Sequence, residues 1–99
     1  MNINIIYNEE KTTLALSGRL DTTTSPKLQE ALMSEFCNEK HIELDLTRLI
    51  YVSSAGLRVL LMGEKTAKAT GRRQTLVNVS PDIMEVFEIT GFSGVLHFE

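Results

Sequence analysis

Residues 45–61, DLTRLIYVSSAGLRVLL, decide the fold, because an apolar strand runs into two serines and the serines run directly into an apolar helix. Just upstream and into this stretch, Ile42, Leu44 and Leu46 alternate with polar neighbours, the period of a half-buried strand, whereas Leu57, Leu60 and Leu61 recur at the spacing of a helix face. The period changes at Ser53 and Ser54. A serine there can satisfy an orphan backbone N–H of the first helical turn, and the partial positive charge of that turn favours an anion brought to it. Capping needs one serine, which leaves the second without a structural task. Arg58, four residues after Ser54, falls on the same helical face and within reach of such an anion.

Working outward, residues 41–46 form the central strand, and an extended piece through Leu49, Ile50 and Val52 carries the chain to the serines. Upstream, Ile3, Ile5 and Tyr7 alternate, residues 8–11 turn, and residues 13–17 make a second strand, together a hairpin. Ser25 then Pro26 signals a helix start, with Leu28, Ala31, Leu32 and Phe36 facing inward, Gln29, Glu30 and Glu35 outward, and an end near Asn38. Downstream, the second helix turns Arg58, Glu64, Lys65 and Lys68 to solvent and stops at Gly71. Thr75, Val77 and Val79 alternate as a strand. Ser80 and Pro81 start a third helix, with Ile83, Val86, Phe87 and Thr90 on one face and Gly91 at its end. Val95, Leu96 and Phe98 suit a last strand. The order is β-β-α-β-α-β-α-β, which predicts an α/β fold with a mixed sheet and helices mainly on one face.

The 99 residues fit one domain over 1–99, and 42% hydrophobic content is enough for an ordinary core. Ten basic residues are scattered through a chain of net charge −3, which argues against nucleic acid binding. The basic residues near 65–73 read as a solvated helix end that suits the macrodipole. Cys37 has no partner for an internal disulfide and reads as a small hydrophobe. No apolar run reaches the roughly 20 residues of a membrane span, and the N-terminus has no signal-peptide pattern, so a cytoplasmic protein without membrane insertion is expected. His41 and His97 lack metal-ligand spacing, no phosphate-loop, dinucleotide or nucleophile-elbow pattern occurs, and no base is placed for Ser54. Neither metal, cofactor nor catalysis is expected.

With these residues in view, LDLTRLIYVSSAGLRVLL resembles the signature of the STAS domain of bacterial anti-sigma factor antagonists. SGRLDTTTSPKLQEAL resembles the family's GxLD segment and first helix, and VSPDIMEVFEITGFSGVLHF its closing helix, TGF turn and last strand. The resemblance covers nearly the whole chain. It implies a phosphorylatable serine at the start of the second helix, which falls on Ser54, and a binding surface that includes Ser53, Ala55, Gly56 and Arg58. Asp21, matching the LD of that segment, either lies near this surface or simply forms a turn. Two positions depart from the family pattern: Ser53 stands where Asp is common, and Ala55 where Ser or Thr is.

The resemblance further implies partner switching and no catalysis by the domain. Unmodified, the antagonist binds an anti-sigma factor that is a serine kinase, and a sigma factor is freed to act in transcription. The kinase phosphorylates the antagonist and releases it, and a serine phosphatase resets it. The alternative is a STAS accessory subunit of a lipid-transport ATPase or a stress-signalling scaffold.

Overall fold

In the computed structural model, which describes all 99 residues, the chain runs β1 (Asn2–Tyr7), β2 (Lys11–Leu20), α1 (Ser25–Phe36), β3 (His41–Val52), α2 (Ser54–Ala69), β4 (Gln74–Val77), α3 (Pro81–Thr90), a 3-10 turn (Phe92–Gly94) and β5 (His97–Phe98). The strands lie side by side in chain order, β1 antiparallel to β2 and every later pair parallel. Each crossover therefore steps the same way across the sheet, and right-handed crossovers then place their helices on a common face. On that face the inward leucines of three strands, Leu14 and Leu16, Leu44 and Leu46, and Leu76, join Leu28, Leu32, Leu60 and Phe87 of the helices in one continuous core. The expected mixed sheet with one-sided helices is the architecture found.

The opposite face is polar. Lys11, Thr13 and Glu43 meet there, with the Lys11 ammonium 2.6 Å from Glu43 and the Thr13 hydroxyl donating to the same carboxylate at 3.1 Å. This alternation lets a largely parallel sheet, usually covered on both sides, leave one side in water.

Several local expectations are corrected. Thr24, not Ser25, is the residue before α1, and it gives no side-chain cap: its hydroxyl accepts the Asp21 N–H at 2.9 Å and donates to the Arg19 carbonyl at 2.7 Å, both back in the preceding loop. Ser25 lies inside the helix, buried, with its hydroxyl donating to the Asp21 carbonyl. The second strand is longer than residues 13–17, and β3 is one unbroken strand that absorbs two register shifts against β2. β4 stops at Val77 because Asn78 takes a left-handed φ of 57°. β5 shrinks to two residues, since the 3-10 turn takes up the chain before Val95.

Glu35 and Glu64, both expected outside, are buried: Glu35 accepts from the Tyr7 hydroxyl at 3.1 Å and the Asn38 amide at 3.0 Å, and Glu64 lies 3.1 Å from His97 Nδ1. Cys37 is exposed at the end of α1, its thiol donating to the Met33 carbonyl at 3.3 Å, and is not part of the apolar face. Of the expected α2 face, Leu57 and Leu60 are buried and Leu61 is half-buried.

Candidate functional site

The two serines divide their tasks at the start of α2. Ser53 is extended (φ −96°, ψ 174°), and its hydroxyl oxygen accepts the Gly56 N–H at 3.3 Å, so it caps the helix. Its own N–H donates to the Leu20 carbonyl at 2.8 Å, which ties the helix start to the end of β2. Ser54 is the first helical residue. It is exposed, and its hydroxyl has no hydrogen-bond partner in the protein.

Gly56 is buried against Leu20: a Cβ there would stand 2.7 Å from Leu20 Cγ and 3.0 Å from the Leu20 carbonyl oxygen. The glycine is needed for close approach of α2 to β2. Ala55 and Arg58 line a shallow groove of about 250 Å³ between α1 and α2, with Thr22, Ser25 and Gln29 on the opposite wall. Arg58 is exposed and takes part in none of the chain's ion pairs.

Asp21 sits in the loop facing this groove and organises it. Its Oδ1 accepts the Thr23 N–H at 3.0 Å and the Thr24 N–H at 3.1 Å, and its Oδ2 lies 3.9 Å from Arg19 Nε. The Thr24 backbone N–H above all, helped by the Thr24 hydroxyl, the Thr23 N–H and Arg19, holds the Asp21 carboxyl below its usual range against an opposing contribution from burial. Of the two readings of Asp21, the turn is the one seen, and its next residue, Thr22, lines the groove.

The loop after β2 and the start of α2 thus bring Asp21, Ser53, Ser54, Ala55, Gly56 and Arg58 to one end of the molecule, with Gly56 buried beneath the others. Arg19 and Tyr51 belong to the same end and were not singled out in the sequence. They are register partners on β2 and β3, with the Arg19 guanidinium 4.1 Å from the centre of the Tyr51 ring. A sequence shows no such cross-strand pair until the strand register is known. Neither histidine is near: His41 opens β3 at its far end, and His97 pairs with Glu64 across from Thr75. No imidazole of the chain therefore stands beside the Ser54 hydroxyl. No cluster of three or more metal-ligating side chains occurs, and no helix is long and apolar enough to cross a membrane.

Residues 5–97 match the family described as Mlab, STAS domain. The chain is 36% identical to BtrV of Bordetella bronchiseptica over 81 residues, covering 81% of this chain and 70% of that protein. It is 31% identical to the anti-sigma-B factor antagonist of Listeria monocytogenes, covering 100% of this chain and 90% of that one. Among solved structures, unphosphorylated SpoIIAA, an anti-sigma factor antagonist, superposes with a TM-score of 0.77 at 20% identity over 99% of this chain and 87% of its own, so it shares the fold. A fold with this strand order, matched over nearly its whole length and joined to an antagonist at 31% identity, places the chain in the STAS-domain family of anti-sigma factor antagonists.

Proposed function

We infer that this chain antagonises an anti-sigma factor and that phosphorylation of Ser54 switches it off. The observation that carries this reading is the division of labour at the helix start, where Ser53 satisfies the capping requirement and Ser54 presents an exposed, unpartnered hydroxyl. The partner is an anti-sigma factor that is also a serine kinase. In the transfer step, the Ser54 oxygen bonds to the γ-phosphorus of ATP, the hydroxyl proton is lost and ADP leaves. A serine phosphatase hydrolyses the phosphoester and restores the binding form. The chain itself is a binding module and no enzyme, and it works in the cytoplasm with no cofactor, metal, nucleic acid or membrane insertion. SpoIIAA, which shares its fold, has been solved both unphosphorylated and, as the Bacillus cell fate determinant, phosphorylated.

Phosphate adds roughly −1.5 to −2 charges, while a helix N-terminus favours a negative charge by about 0.3–1 kcal/mol. The modification is therefore compatible with the fold, and its cost falls on the complex, where misplaced charge and bulk weigh several kcal/mol. The test is incubation with the cognate kinase and ATP, followed by mass spectrometry. One phosphate on Ser54 is expected, none on Ser53, and Ser54→Ala remains bound to the kinase in the presence of ATP. Modification of Ser53 alone, or tight kinase binding by the phosphorylated form, overturns the reading. Absence of transfer together with purification in a transport ATPase replaces it with the accessory-subunit role.

A further inference from the structure

β1 stands at one edge of the sheet with β2 as its only neighbour, and β5, of two residues, stands at the other. The Asn8 N–H donates to the Lys11 carbonyl at 3.1 Å, which fixes the alternation along the hairpin. Asn2, Asn4 and Ile6 therefore turn their backbone groups toward β2, across from Ser17, Ala15 and Thr13. The N–H and C=O groups of Ile3, Ile5 and Tyr7 point off the sheet, and no other part of the chain meets them. Lys27 and Lys40 bracket this free stretch, bonding the Met1 and Asn8 carbonyls at its two ends. Edges of this length are usually blunted by charge, proline or a bulge. β1 (NINIIY) carries none of these, and Ile6 and Tyr7 are 52% and 58% exposed.

The strand is complementary to a second copy of itself. Ile3 and Ile5 pack half-buried against the core, so odd-numbered residues of β1 face the helices and even-numbered ones the polar side of the sheet. An antiparallel partner must set outward backbone groups against outward ones and keep apolar side chains on the helix side. Pairing centred on Asn4 does both along the whole strand. Ile3 then opposes the partner's Ile5 and exchanges both N–H···O=C bonds with it, Asn2 opposes the partner's Ile6, and Asn4 meets the partner's Asn4 on a two-fold axis. Beside β1 on the helix side runs a groove of about 350 Å³, with Ile3, Ile5 and Ala31 as its apolar lining and Lys27, Glu30 and Glu35 as its charges. Lys27 marks the Met1 end through its bond to the Met1 carbonyl, and Glu35 the Tyr7 end through the Tyr7 hydroxyl. The two-fold reverses this direction, so the basic end of each groove lies beside the acidic end of the other, and the two apolar linings become continuous.

We propose that two copies of this chain join edge to edge through β1, antiparallel and in register about Asn4, as a closed two-fold dimer that doubles the five-stranded sheet. Assembly stops at two, because the remaining edge, β5, is too short to recruit another copy. In the dimer β3 of one copy runs opposite to β3 of the other. Ser54 directly follows β3, so the two serines stand at opposite ends of the joined sheet with the surface around each left free. The dimer is thus a two-site antagonist, and its formation is independent of the state of Ser54.

The full chain is sedimented from about 1 to about 300 μM, the range in which a modest interface dissociates, and its mass should rise to twice that of the chain. Asn4→Lys sets like charges directly opposite each other at an exposed position and should stay monomeric throughout. Register is read in a Cys37→Ser background with oxidised glutathione, which accepts the electrons and protons released when two thiols couple. Asn4→Cys should form a covalent dimer, since opposed residues of a non-hydrogen-bonded pair stand about 4.5 Å apart, within reach of a disulfide. Asn2→Cys and Ile6→Cys should each stay uncoupled alone and link when mixed, while Lys65→Cys on α2 should not couple. All four positions are exposed, and matching circular dichroism spectra confirm that the variants are folded. In hydrogen exchange the amides of Ile3, Ile5 and Tyr7 should gain protection as concentration rises, and those of Asn2, Asn4 and Ile6 should not. A mass that stays at that of one chain or climbs beyond two, a dimer that Asn4→Lys leaves intact, or Asn4→Cys coupling no faster than Lys65→Cys overturns the proposal. Protection of the three outward amides only when another protein is added gives the edge to that protein and overturns the dimer too. None of these outcomes bears on phosphorylation of Ser54, which is tested separately.

Discussion

At Ser53 the hydroxyl accepts a helix N–H, and at Ser54, one position later, it accepts nothing, so two chemically identical side chains differ in what their removal does. Ser53→Ala should lose a cap and about 1 kcal/mol of stability. Ser54→Ala, with no bond to lose at an exposed position, should stay within about 0.5 kcal/mol of wild type in urea unfolding. Equal losses would show that the capping assignment is wrong. Gly56 obeys a different constraint. Alanine gains about 1 kcal/mol over glycine within a helix, but here its methyl meets a fully buried Leu20, including the carbonyl that already accepts the Ser53 N–H. The atoms met are the branch point of Leu20 and its backbone carbonyl and not the tip of a flexible side chain, and overpacking of this kind costs about 1–3 kcal/mol. Gly56→Ala should therefore be net destabilising by denaturant titration; a gain in stability would mean that α2 simply shifts away from β2.

Between elements, α2 meets β4 through a second close approach. A Cβ on Gly63 would stand 2.0 Å from Gln74 Oε1, and Gln74 is fully buried with its amide donating to the Leu60 carbonyl at 3.0 Å. Gly63→Ala must expel the Gln74 side chain and leave that helix carbonyl without its extra donor, an expected loss of about 1–3 kcal/mol. Because the clash needs both residues, Gly63→Ala/Gln74→Ala should lose less than the two single changes together, with a coupling of about 0.5–3 kcal/mol in a double-mutant cycle. Strict additivity would show that the two do not touch. The sequence revealed the elements but not these meetings. The change of period at Ser53, the Ser-Pro pair before α3 and Gly71 and Gly91 at the ends of their helices are local signals, and each appears where it was read. Glu64 carries no local signal of burial. It is inside because His97, 33 residues away, reaches it from β5, and Glu35 is inside because Tyr7 reaches it from the hairpin. Ser25 looked like a cap from its neighbour Pro26, but the Asp21 turn had already fixed where the helix begins. At the candidate site, the serines and Arg58 were visible in one stretch. Arg19 and Tyr51 became neighbours only through strand register.

For the molecule as a whole, charge at the helix start and charge in the loops should register differently in stability. Phosphate on Ser54 should leave thermal stability within about 1 kcal/mol of the unmodified form, since the helix dipole favours it; unfolding on phosphorylation would locate the switch in the fold and not in the interface. Acid acts elsewhere. Asp21 and Asp45 both have their carboxyls held below the usual range, Asp21 first by the Thr24 backbone N–H and Asp45 first by the Thr47 hydroxyl, with the Thr47 N–H and Asn78 amide assisting and burial opposing. A carboxyl that releases its proton more readily when folded contributes stability above its unfolded value. That contribution is lost as pH falls through the lower, folded value. Between about pH 4, where unfolded aspartates titrate, and the lower folded range, the unfolded chain binds more protons than the folded one, so stability must fall with falling pH. Both carboxylates organise loops at the Ser54 end of the sheet or beside it, Asp21 before α1 and Asp45 through its tie to Asn78 before α3. Asp21→Asn/Asp45→Asn should therefore be less stable than wild type at pH 7 and show a shallower decline in urea midpoint between about pH 5 and pH 2. An unchanged slope in the double variant would show that these two carboxyls do not carry the acid sensitivity.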